Sequence, residues 1–373
     1  MIKIVKIFLP IIVGVLCFIC SSVSAAAERP DFGLDEYDYN LPTEVADELE
    51  QNGITPESVS IEALSAENVV DYIIKLLIGS LQDPIKLTVS VFAVILLCGI
   101  ANVLSESAGE NMKNIFSLVS VLVGAAMLLT PISAAIAAVG DVVRGGSVFL
   151  EGFIPAFAGM MAMSGQVTTA AVINTVVMAG AQIYSLLAAN LIVPAASCIM
   201  GITIAGSVNP ELKLNTIAET AKKIIIWGLG LIMTVFVALL GLQSFITLPA
   251  DGIAIKTARF TVANGVPFIG GTISEALSVM QGGINIIRNN FGSFGIIAGA
   301  LLILPSIAST LCSKLALSVC AAASDMFGLT ALTGLLKSAE SIMSIILAVL
   351  VCFMLIAVIS VSLMLFIGMG GAV

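Results

Sequence analysis

Ile224-Ile225-Ile226-Trp227-Gly228-Leu229-Gly230-Leu231-Ile232-Met233-Thr234-Val235-Phe236-Val237-Ala238-Leu239-Leu240-Gly241-Leu242-Gln243-Ser244-Phe245-Ile246-Thr247-Leu248 runs for 25 residues without a charge. As a helix it reaches about 37 Å, more than the roughly 30 Å hydrocarbon core of a bilayer. Leu87 to Leu104, Ile115 to Val139 and Ser341 to Ala372 are uncharged in the same way, with Pro131 marking a kink in the second. Asn289 to Ser313 is uncharged and rich in Gly, and it also predicts a span. The whole chain is 59% hydrophobic and 10% charged, where a soluble domain carries about 25% charged residues. Too little polar surface exists to wet a globule of 373 residues. These patterns predict an all-α, polytopic transmembrane helical bundle.

Between the clean runs lie interrupted ones. Gly152 to Pro210 contains no charge at all, long enough for two or three crossings. Asn190 and Pro194 mark one break there, and Gly159 to Gln166 another. Val148 to Met163 is weak as a span. Its six Val, Leu, Ile or Phe residues supply about −3 kcal/mol of insertion free energy, which a central carboxylate would offset. Glu151 sits near its end, and Pro155 removes a helix hydrogen bond. Such a segment needs neighbouring protein and reads as broken or re-entrant. Leu315 to Leu336 reads as a further apolar stretch with Asp325 at its centre. Phe260 to Ile287 carries Pro267, Glu275 and two Gly pairs. In all, residues 85–373 predict a membrane domain of about six to eight spans.

The N-terminal part differs. Lys3 and Lys6 precede the apolar run Ile7 to Ile19, then Ser21 to Ala27, which together read as a signal peptide over 1–27 cleaved after Ala25 or Ala27, with an uncleaved anchor as the alternative. The segment 28–84 follows. Fourteen of the chain's 24 acidic residues lie between Glu28 and Asp83, against only Arg29 and Lys75. That balance disfavours nucleic acid and anionic lipid as partners. Pro42-Thr43-Glu44 opens a short helix with Thr43 as its cap and Asn52-Gly53 as its stop. From Ser65 onward, Val69, Val70, Ile73, Ile74, Leu77, Ile78 and Leu81 share one helical face. Seven apolar side chains on one face need lipid, the membrane body or a partner subunit to cover them. They form the candidate docking face, and an ordinary core face is the simpler alternative.

Orientation follows from the export signal, which places the acidic segment outside the cytoplasm. Glu106 to Asn114 then faces the cytoplasm. With three crossings through Val148 to Val208, Glu211 to Lys223 does too, and its Lys213, Lys222 and Lys223 agree with the positive-inside rule.

The chain has no His, which excludes Ser-His-Asp and Cys-His catalysis and zinc-His sites. No Walker A sequence or dinucleotide fingerprint is present, so any energy must come from a partner or an ion. The sequence predicts no catalytic residue, no metal site, no cofactor and no enzyme activity. Cys17 and Cys20 lie in the signal, and Cys98, Cys198, Cys312, Cys320 and Cys352 read as small packing residues. The candidate intramembrane polar positions are Glu151, Glu275, Arg288, Lys314 and Asp325. Charges at membrane depth are costly and face protein or water, so they mark a polar path, or else the interfaces where spans end. Gly295-Ile296-Ile297-Ala298-Gly299 is a small-xxx-small helix contact. Phe153-Ile154-Pro155-Ala156-Phe157-Ala158-Gly159 looks like Gly265-Val266-Pro267-Phe268-Ile269-Gly270-Gly271, a single seven-residue match that chance explains more simply than matching broken helices in two halves.

The chain resembles the stage III sporulation protein AE family of endospore-forming bacteria. The resemblance rests on Phe153-Ile154-Pro155 with Ser164-Gly165 and on Gly265 to Gly271. It rests most on Gly282-Gly283-Ile284-Asn285-Ile286-Ile287-Arg288-Asn289-Asn290-Phe291-Gly292. It implies a permease-like subunit of a multi-protein channel joining mother cell and engulfed forespore, located in the mother-cell membrane around the forespore. It also implies other stage III sporulation proteins as partners, including a separate cytoplasmic ATPase. No catalytic residues transfer with it. A stand-alone secondary transporter, coupled through buried carboxylates such as Asp325, is the alternative expectation.

Overall fold

The computed structural model describes residues 41–51, 55, 79, 82–106, 110–208, 214–265 and 270–370. The signal segment and the predicted docking face from Val69 to Leu81 lie outside the described residues. The elements are helices: α1 (Thr43–Gln51), α2 (Gln82–Glu106), α3 (Glu110–Met163), α4 (Val167–Leu187), a π-helical turn (Ala188–Ile192), α5 (Val193–Val208), α6 (Leu214–Gly265), α7 (Gly270–Met326) and α8 (Thr330–Gly370). With α4, the π turn and α5 taken as one rod, six are long and apolar enough to cross a membrane.

Consecutive rods run up and down. Gly165 (φ 92°) and Gly328 (φ 69°) reverse the chain between α3 and α4 and between α7 and α8. A positive φ is cheap only for a residue without a Cβ. Asn102, near the end of α2, donates from Nδ2 to the Phe327 carbonyl at 3.5 Å. Thr168, at the start of α4, meets Asp251 of α6. The bundle therefore has a Gly165 end and a Gly328 end.

Helix α8 is the axis. Glycines on its neighbours give its large side chains room: Leu332 lies over Gly124, Phe353 over Gly146 and Leu365 over Gly292. Phe353 also stacks on Tyr184, their ring centroids 5.7 Å apart. The Tyr184 hydroxyl donates to the Val349 carbonyl at 2.7 Å. Between α3 and α7, Phe149, Phe153 and Phe157 form a ladder with Phe291, which stacks on Phe153 at 4.7 Å. Gly295 faces the Phe153 ring and Gly299 faces Phe149. The predicted small-xxx-small contact thus joins α7 to α3 within the chain.

Several expectations are corrected. Val148 to Met163 is not a separate broken segment but the last part of the 54-residue α3, which continues through Pro131 and Pro155. Asp141, Arg144, Val148 and Glu151 are exposed, while Val143, Phe149, Leu150, Phe153, Ile154 and Phe157 are buried. That pattern has the helical period, so the charges interrupt the apolar run without ending the helix. Residues 115–208 form two rods rather than four crossings. The change is an even number, so Glu211 to Lys223 stays on the side first expected. The break foreseen at Asn190 and Pro194 is the π turn. Pro194 has no N–H for the Asn190 carbonyl, and a wider turn absorbs the loss without stopping the rod.

Leu315 to Leu336 is a hairpin folded at Phe327-Gly328-Leu329, not one stretch. Of the proposed repeat, Phe153 to Gly159 lies inside α3, and Val266 to Ile269 lie outside the described residues. Thr43 is the first residue of α1 rather than its cap. The Pro42 carbonyl instead accepts the Val45 and Ala46 N–H groups, each at 3.0 Å. Leu49 of α1 is buried, and α1 rests on α7.

Candidate functional site

The five predicted polar positions do not converge. Glu151 is exposed on α3 and accepts from Gln182 Nε2 of α4 at 3.2 Å. Glu275 is exposed near the start of α7. Asp325 is exposed beside the Gly328 turn, one residue from the end of α7. Its expected place at the centre of a span is lost because the chain reverses there. Arg288 and Lys314 lie on the same helix, about 39 Å apart along its axis.

Lys314, half-buried on α7, belongs to a group the sequence did not single out. Lys222 of α6 donates to Ser341 Oγ of α8 at 3.1 Å. The charges of Lys314, Glu340 and Glu219 all act on it. Three helices therefore meet in a small charged cluster toward the Gly328 end, two cations against two carboxylates. Sequence reading found Lys222 only as a loop cation. Its partner helices could not be identified without the register of α6 on α8.

Asp251 is a second omission. It is 4% exposed, and its two carboxylate oxygens accept the backbone N–H groups of Thr168 at 3.1 Å and Thr169 at 2.8 Å. These are first-turn donors of α4, left without intrahelical partners. A carboxylate there also meets the positive end of the helix dipole. The Gly165 turn delivers the α4 N-terminus to α6, and Asp251 fastens it. The pair is 83 residues apart, so no local pattern could have shown it.

Arg288 is the predicted position that the structure makes most unusual. It is 0% exposed and the largest fully buried side chain. Its Nε and Nη1 have no hydrogen-bond partner among the described residues. On the same helix, the Oδ1 atoms of Asn285 and Asn289 are buried and unpartnered as well. Asn285, Arg288 and Asn289 follow the i, i+3, i+4 spacing that places them side by side.

Two clefts in the bundle have a different character. One, of about 230 Å³, is lined by residues including Leu128, Met200, Thr203, Leu335 and Ile342. The other, of about 200 Å³, is lined by residues including Val91, Met127, Leu332 and Leu336. Neither has an ionisable lining residue, so neither offers a coupling carboxylate. Among the described residues no cluster of His, Cys, Asp or Glu has the makings of a metal site.

Comparison with known proteins gives the relationship. Stage III sporulation protein AE of Bacillus subtilis (strain 168) is 24% identical over 148 residues, 40% of this chain and 37% of that protein. The alignment thus spans well under half of that relative's length. No solved structure matches the chain. The family model for stage III sporulation protein AE matches residues 55–368, which takes in both glycine turns, the Asn285-Arg288-Asn289 face and all six membrane-length helices. On that match, the chain belongs to the stage III sporulation protein AE family.

Proposed function

We propose that this protein is a membrane-embedded subunit of the channel-like assembly that links mother cell and forespore, needed for forespore development after engulfment. The observation that carries this reading is a sporulation-family match running the length of a six-rod membrane bundle. The sequence holds no nucleotide-binding motif, so the reading assigns energy supply to a separate cytoplasmic ATPase among the other stage III sporulation proteins. Lys222, Lys223 and Lys337 lie toward the Gly328 end. The positive-inside rule then puts that end in the cytoplasm, and the Gly165 end and acidic segment outside it. The coupling carboxylates of a stand-alone transporter find no support, because Glu151, Glu275 and Asp325 are exposed and far apart.

Deleting the gene should leave vegetative growth normal and arrest spore development after engulfment. Normal spores from the deletion strain would overturn the proposal. The apolar face from Val69 to Leu81 is proposed, on its sequence pattern alone, as a surface for partner subunits. Ile73→Glu with Leu77→Glu should leave the protein in the membrane, release its partners in co-purification and block sporulation. Unchanged co-purification with normal spores would remove that face from the proposal.

A further inference from the structure

We propose that the Gly165 end of the bundle encloses a hydrated polar layer that admits small anions, with Arg288 as the residue that selects them. The first observation is where the unmet polar atoms lie. Asn174, Gln243, Asn285, Arg288, Asn289 and Ser362 each hold a buried side-chain atom without a partner among the described residues. Contacts between neighbouring helices set their levels. Phe291 stacks on Phe157, so Arg288, one turn earlier on α7, lies one turn nearer the Gly165 turn. Gly292 meets Leu365, which brings Ser362 to the same third of the molecule. Thr169 meets Asp251 and Gly180 meets Phe236, so Asn174 and Gln243 fall between those two levels. Both apolar clefts, with no ionisable lining residue, lie toward the Gly328 end.

Buried polar atoms left unpaired cost free energy comparable to a lost hydrogen bond. Several of them in one third of the bundle, with acceptors and donors mixed, are what interior water satisfies. The second observation is charge. Arg288 is sealed at 0% exposure with no carboxylate paired to it among the described residues. The nearby candidate, Asp251, already spends both oxygens on Thr168 and Thr169. Glu151 points outward to Gln182. Arg288 therefore contributes a positive charge that no side chain among the described residues pairs directly, in a low-dielectric surround. The guanidinium edge through Nε and Nη1 is a forked donor that fits a carboxylate or phosphate oxygen pair. The side amides of Asn285 and Asn289 flank it. The proposal does not depend on the sporulation assembly, because it concerns one chain alone.

The test is cysteine accessibility in the full-length protein reconstituted in liposomes without partners. All native Cys are first replaced by Ala. Cys is then placed at Asn174, Asn285 or Asn289, with Thr203→Cys, buried at the apolar cleft toward the Gly328 end, as reference. Each variant is treated with an anionic sulfonate and a cationic trimethylammonium thiosulfonate, and rates are corrected for intrinsic reactivity. The three polar-layer positions should react, and the anionic reagent should lead by roughly tenfold, the ratio that about 1.4 kcal/mol of selection gives. Thr203→Cys should react with neither. Adding Arg288→Gln should erase the preference, and Arg288→Lys should keep most of it, which separates loss of charge from loss of fold. Reaction no faster than at Thr203 would overturn the hydrated layer. Reaction without a charge preference, or a preference that survives Arg288→Gln, would overturn the role of Arg288.

Discussion

Helices α6 and α8 are both long, apolar and nearly free of charge in their central runs, yet they sit in opposite environments. In α8 67% of the best apolar stretch is buried, against 17% in α6. On α6, Trp227, Leu231, Val235, Leu242, Phe245 and Ile246 point outward, whereas α8 touches α3, α4, α5, α6 and α7. In water that contrast would be written as an amphipathic stripe on α6. In lipid the outward face is as apolar as the inward one, so hydropathy does not separate them. What separates them is the placement of small residues. Glycines of α3 and α7 lie under Leu332, Phe353 and Leu365 of α8, while among the described residues α6 sets only Phe236 over a glycine, Gly180 of α4.

The largest expected effect comes from filling one of those glycine seats. A Cβ at Gly146 would land on the Phe353 ring. That ring is fully buried and stacked on Tyr184, so it has no room to swing aside. Gly146→Val should therefore destabilise the protein by about 3 kcal/mol or more, at the upper end of overpacking costs. The unfolding midpoint of the purified protein in mixed micelles measures it. A shift within error would mean that α8 is not tightly seated, and the contrast with α6 would fall.

Asp251→Ala tests a place where α6 is firmly tied. It removes both acceptors from the first turn of α4, and hydrogen bonds to a charged group are worth about 1.5–3 kcal/mol. A loss of about 2–3 kcal/mol is expected in the same unfolding assay, with Asp251→Asn losing less because one acceptor oxygen remains. Equal, negligible losses for both would show that α4 does not need the tie. Tyr184→Phe removes only the hydroxyl that donates to the Val349 carbonyl. One neutral buried hydrogen bond contributes about 1 kcal/mol, so a loss near that size should appear, and none would mean the carbonyl is satisfied elsewhere.

The sequence made the rods legible where lipid imposes a hard rule. About 20 uncharged residues must lie together to cross the hydrocarbon, and Leu87 to Leu104, Ile224 to Leu248 and Asn289 to Ser313 all proved helical. It misled where charge was taken as an end of structure. Asp141, Arg144 and Glu151 share an exposed face with Val148, and their 3-, 4- and 3-residue spacings were a helical signal available in the sequence. Asp325 was placed at the centre of a span because Gly328 was not taken as a reversal point. Arg288 could be singled out from its apolar surroundings. Asp251 and the Lys222 cluster could not, because their partners come from helices far off in the chain.

The smallest effect bears on what covers the outer face of α6. Gly230 is exposed there, and a Cβ added to it meets nothing within 4 Å. In a helix interior Gly is less favourable than Ala by about 1 kcal/mol, since it gives up more backbone freedom on folding. With only lipid outside, Gly230→Ala should raise stability by up to about 1 kcal/mol, opposite in sign to Gly146→Val. The comparison is best made twice, on protein purified alone and on membranes from sporulating cells. A gain in both settings would mark the α6 face as lipid-exposed throughout. A gain in isolation with loss of spores would mean that a partner helix packs closely against Gly230, where a methyl group is one too many. A loss of stability in isolated protein would show that the face is already covered by this chain or a second copy of it, and that α6 is less peripheral than its 17% burial implies.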